Sequence, residues 1–452
     1  MIRRIAVTLI TILFACAAMA QEAAPSPVDL EKRLKALEEK VAQIEKAAPA
    51  VDLTEIQREI GILAKEIEAL KTERSQKPAE ADTQQFGLGA AASKVYRSEP
   101  GVSFGGYGEM AYQKFDSRKH SGAPAEMTDS ADLVRGVLYT GFKFNKNVLF
   151  NSELEVEHAS TESGGNVSLE FAYLDFLSRP ELNARAGVVL LPIGMINEQH
   201  EPTTYFGVSR PVVETRIIPA TWGEIGAGIF GDTGKFSYRG YLVTGLDSQK
   251  FEPKEGIREG RQAGAEAKAD DLALTGRLDF HPFEGTVFGG SIYSGNSAQG
   301  RRTPSGARFG GRVTLGELHA DSKFRGVSLR ALWSRGTIGD AARINEANGL
   351  TGDKSIGKTF GGWYVESGYD LASVWRRGDL SVTPYARYER FDTQRSVPAG
   401  YERDPENDGR IWTLGVAVKP IPQTVIKVDY QNVNNAAGTG VNQFNIGLGY
   451  IF

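Results

Sequence analysis

The chain has 452 residues, a formal net charge of -4 and a pI near 5.9, a balance that points away from a nucleic-acid partner. A mean hydropathy of -0.30 excludes a polytopic helical membrane protein. The 52 glycines, 16 tyrosines and 22 phenylalanines suit many twisted strands with tight turns and aromatic girdles.

Residues 1–20, MIRRIAVTLITILFACAAMA, read as a secretory signal peptide. Arg3 and Arg4 supply the positive start, 5–17 the apolar core, and Ala18, Met19 and Ala20 an A-x-A cleavage site before Gln21. A single membrane anchor and lipoprotein processing at Cys16 are the alternatives. The apolar run is short for a span of about 20 residues, and Phe14 is bulky for a lipoprotein site. Cleavage after Ala20 removes Cys16, the one cysteine, and with it disulfides, zinc thiolates and thiol nucleophiles.

From residue 28 to 75 the spacing becomes helical. Leu30, Leu34, Leu37, Val41 and Ile44 form a heptad seam that Pro49 interrupts. Asp52 and Glu55 then make a capping box, and Ile56, Ile60, Leu63, Ile67 and Leu70 resume the seam. This predicts a periplasmic coiled-coil segment, with self-association into a homotrimer, or contact with the cell wall, as its role. Residues 76–100 open with a polar run and are expected to be a linker.

From residue 101 to 452 the apolar period is two, in sixteen segments of roughly ten residues. Short connections such as GDTG, HPFEG and KPIPQ alternate with long ones at 116–131, 191–221, 247–270, 296–307 and 337–356. Long loops at one end and tight turns at the other predict an all-β fold: a 16-stranded antiparallel transmembrane β-barrel. The chain finishes VNQFNIGLGYIF, a strand with an apolar face formed by Phe444, Ile446, Leu448, Tyr450 and Phe452. In lipid every backbone polar group must be paired, so this strand is expected to close the barrel against FGGYGEMAYQKF. Tyr450 and Phe452 then lie in the interfacial girdle. They would also serve as the terminal signal read by the outer-membrane barrel assembly machinery.

The strand ending RAGVVLLPIG, the loop MINEQHEPTTYFGVSRPVVETRIIPATW and the strand EIGAGIFG resemble the phosphate-selective porin O and P family. The resemblance implies a trimer of sixteen-stranded porins, each with its third loop folded into the channel. Anion-selective members use arginine ladders and a constriction lysine. The matching loop here carries Glu198, His200, Glu201, Arg210, Glu214 and Arg216, and no lysine.

With the apolar parity assigned to lipid, the inward cations are Arg135, Lys143, Arg185, Arg239, Arg277, Arg308, Arg312, Arg330, Arg387 and Lys427. Inward acids include Glu153, Glu155, Glu157, Glu170, Glu224, Asp279, Glu366, Glu389 and Asp429. An arginine wall opposite an acidic third loop would set a transverse field across a constriction. Two enzyme-like strings occur, G-x-G-x-x-G at 226–231 and G-x-S-x-G at 101–105. Both fall inside strands, where neither can form the strand-to-helix turn its chemistry needs. The five histidines lack metal-type spacing, so no cofactor is expected. The sequence thus points to an outer-membrane porin for small hydrophilic solutes and ions, with an anion- or phosphate-selective channel as the alternative.

Overall fold

The computed structural model describes residues 85–159, 165–375 and 379–452, with Lys35 alone from the part before them. The signal peptide, the rest of the coiled-coil segment and the first part of the linker lie outside the described residues. A short helix α1 (Lys94–Arg97) precedes the barrel. The first eight strands are β1 (Gly101–Phe115), β2 (Ser130–Lys143), β3 (Val148–Glu157), β4 (Val167–Arg179), β5 (Leu182–Leu190), β6 (Gly223–Asp232), β7 (Phe236–Thr244) and β8 (Leu272–Phe280). The second eight are β9 (Thr286–Gly295), β10 (Val313–Phe324), β11 (Val327–Ile338), β12 (Thr359–Tyr369), β13 (Ser381–Ser396), β14 (Asp408–Lys419), β15 (Thr424–Asn435) and β16 (Gln443–Ile451). Each strand pairs antiparallel with its neighbours, and β16 pairs with β1, so the sheet is a closed barrel.

Closure extends to the last residue. Phe452 and Gly106 exchange main-chain hydrogen bonds of 2.9 and 3.0 Å. The rings of Tyr450 and Phe452 lie over Gly108 and Gly106, where a Cβ would collide with them. The C-terminal strand is thereby tied to β1 by a ladder and by two aromatic plates.

The strand alternation separates two environments. On β14, Trp412 and Leu414 point outward while Ile411 and Thr413 are buried inside. The same outward apolar band continues through Leu274, Leu278, Ile292, Leu318, Trp333 and Leu329. Leaving such side chains in water would forgo roughly 1.5–3 kcal/mol each, and so large a continuous apolar exterior marks a surface that contacts lipid.

The interior departs from a simple polar lumen. Between β5 and β13, inward Val243, Tyr293, Val313, Leu315 and Phe360 meet Ile193, Val213, Ile217 and Trp222 from the third long loop (191–222). Phe251 and Ile257 of the 245–271 loop join them, as does Ile344 of helix α2 (Ala341–Asn348) in the 339–358 loop. Burying loop side chains against the wall fills the long-loop end of the barrel on this side with a hydrophobic core. The third loop is therefore not the sole filling.

Candidate functional site

Of residues 76–100, expected as linker, 85–98 pack inside the barrel, while Glu99 and Pro100 are exposed. Phe86 sits edge-on to Tyr96 and Phe230, with ring centroids 5.2 and 5.0 Å away. Leu88, the alanines at 90–92 and Val95 are buried. Gly89 runs so close to the Glu201 carboxyl that a Cβ would collide with it. Polar anchors fix the rest. Glu201 Oε1 accepts the amides of Ala91 (2.9 Å) and Ala92 (3.0 Å). Asn151 Nδ2 donates to the Ala92 carbonyl at 2.9 Å, and Lys143 Nζ donates to the carbonyls of Tyr96 and Ser98. Tyr96 Oη donates to Asp175 (2.6 Å) and accepts from Arg185 (2.8 Å), which itself grips Asp175 through two bonds. Short apolar residues let this segment lie flat against the β1–β5 wall. Arg185 is therefore an anchor for an internal plug.

The third loop crosses the lumen mostly as irregular chain, with one helical turn at Val213–Ile217, which leaves main-chain groups to be satisfied from outside the loop. Carboxylates take its amides: Asp429 that of Val208 (2.7 Å), and Glu389 those of Val212 (2.6 Å) and Val213 (3.3 Å). Cations take its carbonyls. Lys427 bonds Gly207 (2.9 Å), Arg330 bonds Thr204 (3.3 Å), Arg387 bonds Ser209 (3.4 Å) and Arg277 bonds Gly194. Within the loop Glu214 accepts the amides of Met195 (2.6 Å) and Ile196 (2.7 Å), and Tyr364 donates to its other oxygen at 2.5 Å. Tyr205 donates to Glu109 of β1, also at 2.5 Å. The loop is stapled to strands on opposite sides of the barrel.

This changes the meaning of the predicted arginine wall. Arg239, Arg277, Arg330 and Arg387 do point inward, but each is neutralised. Arg239 pairs with Glu198 and Asp279, and Arg277 with Asp279. Arg330 pairs with Asp321, and Arg387 with Glu366 and Glu389. Arg312 and Arg308 are corrections: both are exposed, and Arg312 Nε reaches outward-facing Ser294 at 3.1 Å. The inward residues of β10 are Val313, Leu315, Glu317 and His319. Parity misleads here because Val313 and Leu315, at the long-loop end of β10, face the interior core, whereas Leu318 and Phe324 further along face outward. Arg216 sits on the long-loop side, paired with Glu255 at 3.4 Å.

Several buried polar atoms without a hydrogen-bond partner lie along β1 to β3 and the loop residues beside them: the hydroxyls of Tyr107 and Tyr139, Glu155 Oε2, Arg210 Nε and Glu201 Oε2. Others, on Glu198, Tyr241 and Thr275 among them, lie toward β6 to β8. Arg135 spans Glu109 (3.2 Å) and Glu155 (3.3 Å). Arg210 donates to the His200 carbonyl at 3.1 Å and has no carboxylate within 4 Å among the described residues. His200 Nδ1 faces the Asn197 carbonyl (2.9 Å), so it carries a proton, and Nε2 lies 2.9 and 3.1 Å from the two Glu153 oxygens. Outside the spanning strands, burial and then the Arg210 charge pull the His200 imidazole down to about 4. Burial raises the Glu201 and Glu214 carboxyls above the usual range.

Sequence pattern alone does not single out Glu109, Tyr107 and Tyr139. The signal was present in GYGEMAY, where an acid and a tyrosine share the parity opposite Met110 and Tyr112. A cavity of about 570 Å³ lies at the short-turn end below the loop and plug, lined by Gln199, Glu201, Thr203, Arg239, Arg277, Asp279, Arg330 and Lys323 among others. Among the described residues no group of His, Cys, Asp or Glu is disposed to hold a metal. The two enzyme-like strings lie within β1 and β6 as strand.

No family model matches the chain. It is 37% identical over 354 residues to an uncharacterized protein of Aquifex aeolicus (strain VF5), covering 76% of this chain and 78% of that protein. Among solved structures it is similar to Salmonella typhi OmpF in complex with daunomycin, with a TM-score of 0.51 and 12% identity over 78% of this chain and 97% of that one. A loop-deletion mutant of Vibrio cholerae OmpT gives a TM-score of 0.49 and 10% identity over 78% of this chain and 99% of that one. The OmpF likeness bears on fold alone, and it agrees with the closed sixteen-stranded barrel. The chain belongs to one family with the Aquifex aeolicus protein, and its fold is the outer-membrane porin barrel.

Proposed function

We propose that the protein is an outer-membrane channel passing small hydrophilic solutes and ions by diffusion through a strongly narrowed lumen. The observation that carries this reading is the division of the barrel wall: an apolar band outside, and inside, along β1 to β3, ionisable groups with unpartnered polar atoms. A membrane anchor has no need of a polar track past its own filling. Export by the 1–20 signal peptide, assembly through the C-terminal strand and a homotrimeric state belong to the same proposal. So does a periplasmic coiled coil at 28–75 that trimerises or touches the cell wall.

The track favours cations or neither sign. Arg135 and Arg210 are its guanidinium groups, while Glu109, Glu153, Glu155 and Glu170 crowd the same wall. The second reading, an anion- or phosphate-selective channel, draws support from Arg210, whose charge no carboxylate among the described residues neutralises directly. Reversal potential under a salt gradient in a planar bilayer decides between them. We expect small conductance steps with a permeability ratio near unity or favouring cations. A clear anion preference supports the second reading, and silence from folded protein overturns both.

A further inference from the structure

On the outer face, at the long-loop end, Arg390 of β13 stands directly opposite Arg410 of β14. Both share the outward parity of Tyr388 and Trp412, whose rings lie 4.6 Å apart, and Trp363 packs on Tyr388 at 5.3 Å. On β11, exposed Arg335 follows outward Trp333 by the same two-residue step. Like charges facing each other across an antiparallel pair are destabilising. Among the described residues the offset is partial. Arg390 meets Asp408 at 3.5 Å with more than half of its side chain exposed, while Arg403 meets Asp392 and approaches Asp408 at 3.9 Å. A pocket of about 330 Å³ opens beside them, lined by Trp363, Arg390, Arg395 and Arg403 with Asp392 and Asp408. With Arg410 alongside, arginines outnumber the carboxylates.

Depth identifies the counter-charge. Trp and Tyr rings mark the headgroup level of a membrane, so cations one step beyond them lie within the headgroup layer. A guanidinium presents parallel N–H donors that match a phosphate's oxygens, which a lysine cannot do. We propose that this pocket binds the phosphate of an anionic lipid headgroup in the outer leaflet. The proposal rests on the outer-membrane reading, although its failure would leave that reading standing.

The test is native mass spectrometry of the full-length protein, mixed in detergent with bis-phosphorylated lipid A and its dephosphorylated form. The wild type is expected to retain the phosphorylated lipid in preference. The Arg390→Ala/Arg410→Ala variant should retain about tenfold less, as fits loss of charge-assisted hydrogen bonds. Arg308→Ala/Arg312→Ala, altered elsewhere on the same rim, should match the wild type. Equal retention of the two lipids by the wild type overturns the proposal, as does equal loss in the Arg308/Arg312 variant. Full displacement by inorganic phosphate also overturns it, since the site would then serve a free anion. Heat-modifiable migration confirms folding, and if the double variant fails it, Arg390→Gln and the wild-type comparison of lipids still decide. Bilayer recordings on the same preparations separate the two readings: channel steps without lipid preference overturn the lipid site alone.

Discussion

Glu201 of the third loop holds the main-chain amides of Ala91 and Ala92, so the loop that enters from one end of the barrel grips the segment that fills it ahead of β1. The grip is a carboxyl on two buried donors, and removing it leaves both amides unpaired at a cost of about 1–3 kcal/mol each. Glu201→Ala should therefore release the 85–97 segment. The expected outcome is a larger single-channel conductance and faster proteolysis near residue 90 in a barrel that stays folded. Unchanged conductance would show that this segment does not obstruct the path.

Two deletions divide the chain before β1 by role. Removing 28–74 should leave single-pore conductance as in the full chain while weakening trimers or wall attachment. Extending the deletion through residue 97 also removes Phe86, Leu88 and Tyr96 from the lumen. Conductance should then rise severalfold. Comparable conductance from the two deletions would contradict this division.

The barrel was legible because lipid enforces a strict period of two, and the alternation of tight turns with long loops carried the strand count. The filling was not. Residues 85–98 read as linker because their burial comes from partners far along the chain, such as Asp175 and Glu201, which no local pattern announces. Arg330 and Arg387 have the inward parity in the sequence, yet their tasks, neutralising acids and holding loop carbonyls, depend on where the loop travels. The same parity rule misassigns Arg312 because it fails wherever the interior is apolar, as it is at Val313 and Leu315.

His200 gives the loop an acid-sensitive staple. Its environment includes Glu153, the Asn197 carbonyl and the charges of Arg210, Arg135, Glu155 and Glu201. The folded imidazole titrates at about 4, below its value near 6.5 in an unfolded chain. Between those pH values the unfolded state binds more protons. The contribution is thus present above about pH 6.5 and lost as pH falls toward 4, reaching about 3 kcal/mol. Thermal unfolding in detergent should show the wild type weakening from pH 7 to 5. His200→Gln should flatten that slope, and an unchanged slope would assign the acid sensitivity elsewhere.

Glu214 ties three parts together, accepting the amides of Met195 and Ile196 and the hydroxyl of Tyr364 on β12. Tyr364→Phe removes one donor and leaves the rest, so it should cost about 1 kcal/mol and change gating little. Glu214→Ala strands two buried amides together with that hydroxyl. It should loosen the loop, which bilayer recordings would register as noisier and larger steps. Equal behaviour of the two variants would mean that the loop is held without this carboxyl.

The seam makes the most local prediction. Phe452 contributes a main-chain donor and acceptor to Gly106, and its ring covers the same glycine on the outer face. Deleting Phe452 removes the pair of hydrogen bonds and the plate, whereas Phe452→Ala removes the plate alone. Because the seam forms when the last strand meets the first, both changes should slow barrel closure, with the deletion the more severe. Substituting Gly106 by Val places a side chain where the Phe452 ring and the Val137 carbonyl already lie, and should slow closure even with Phe452 intact. Folding into lipid vesicles, followed by the shift in electrophoretic mobility of the closed barrel, measures all three. Wild-type rates for the Gly106 variant would show that the ring leaves that glycine before the seam is sealed.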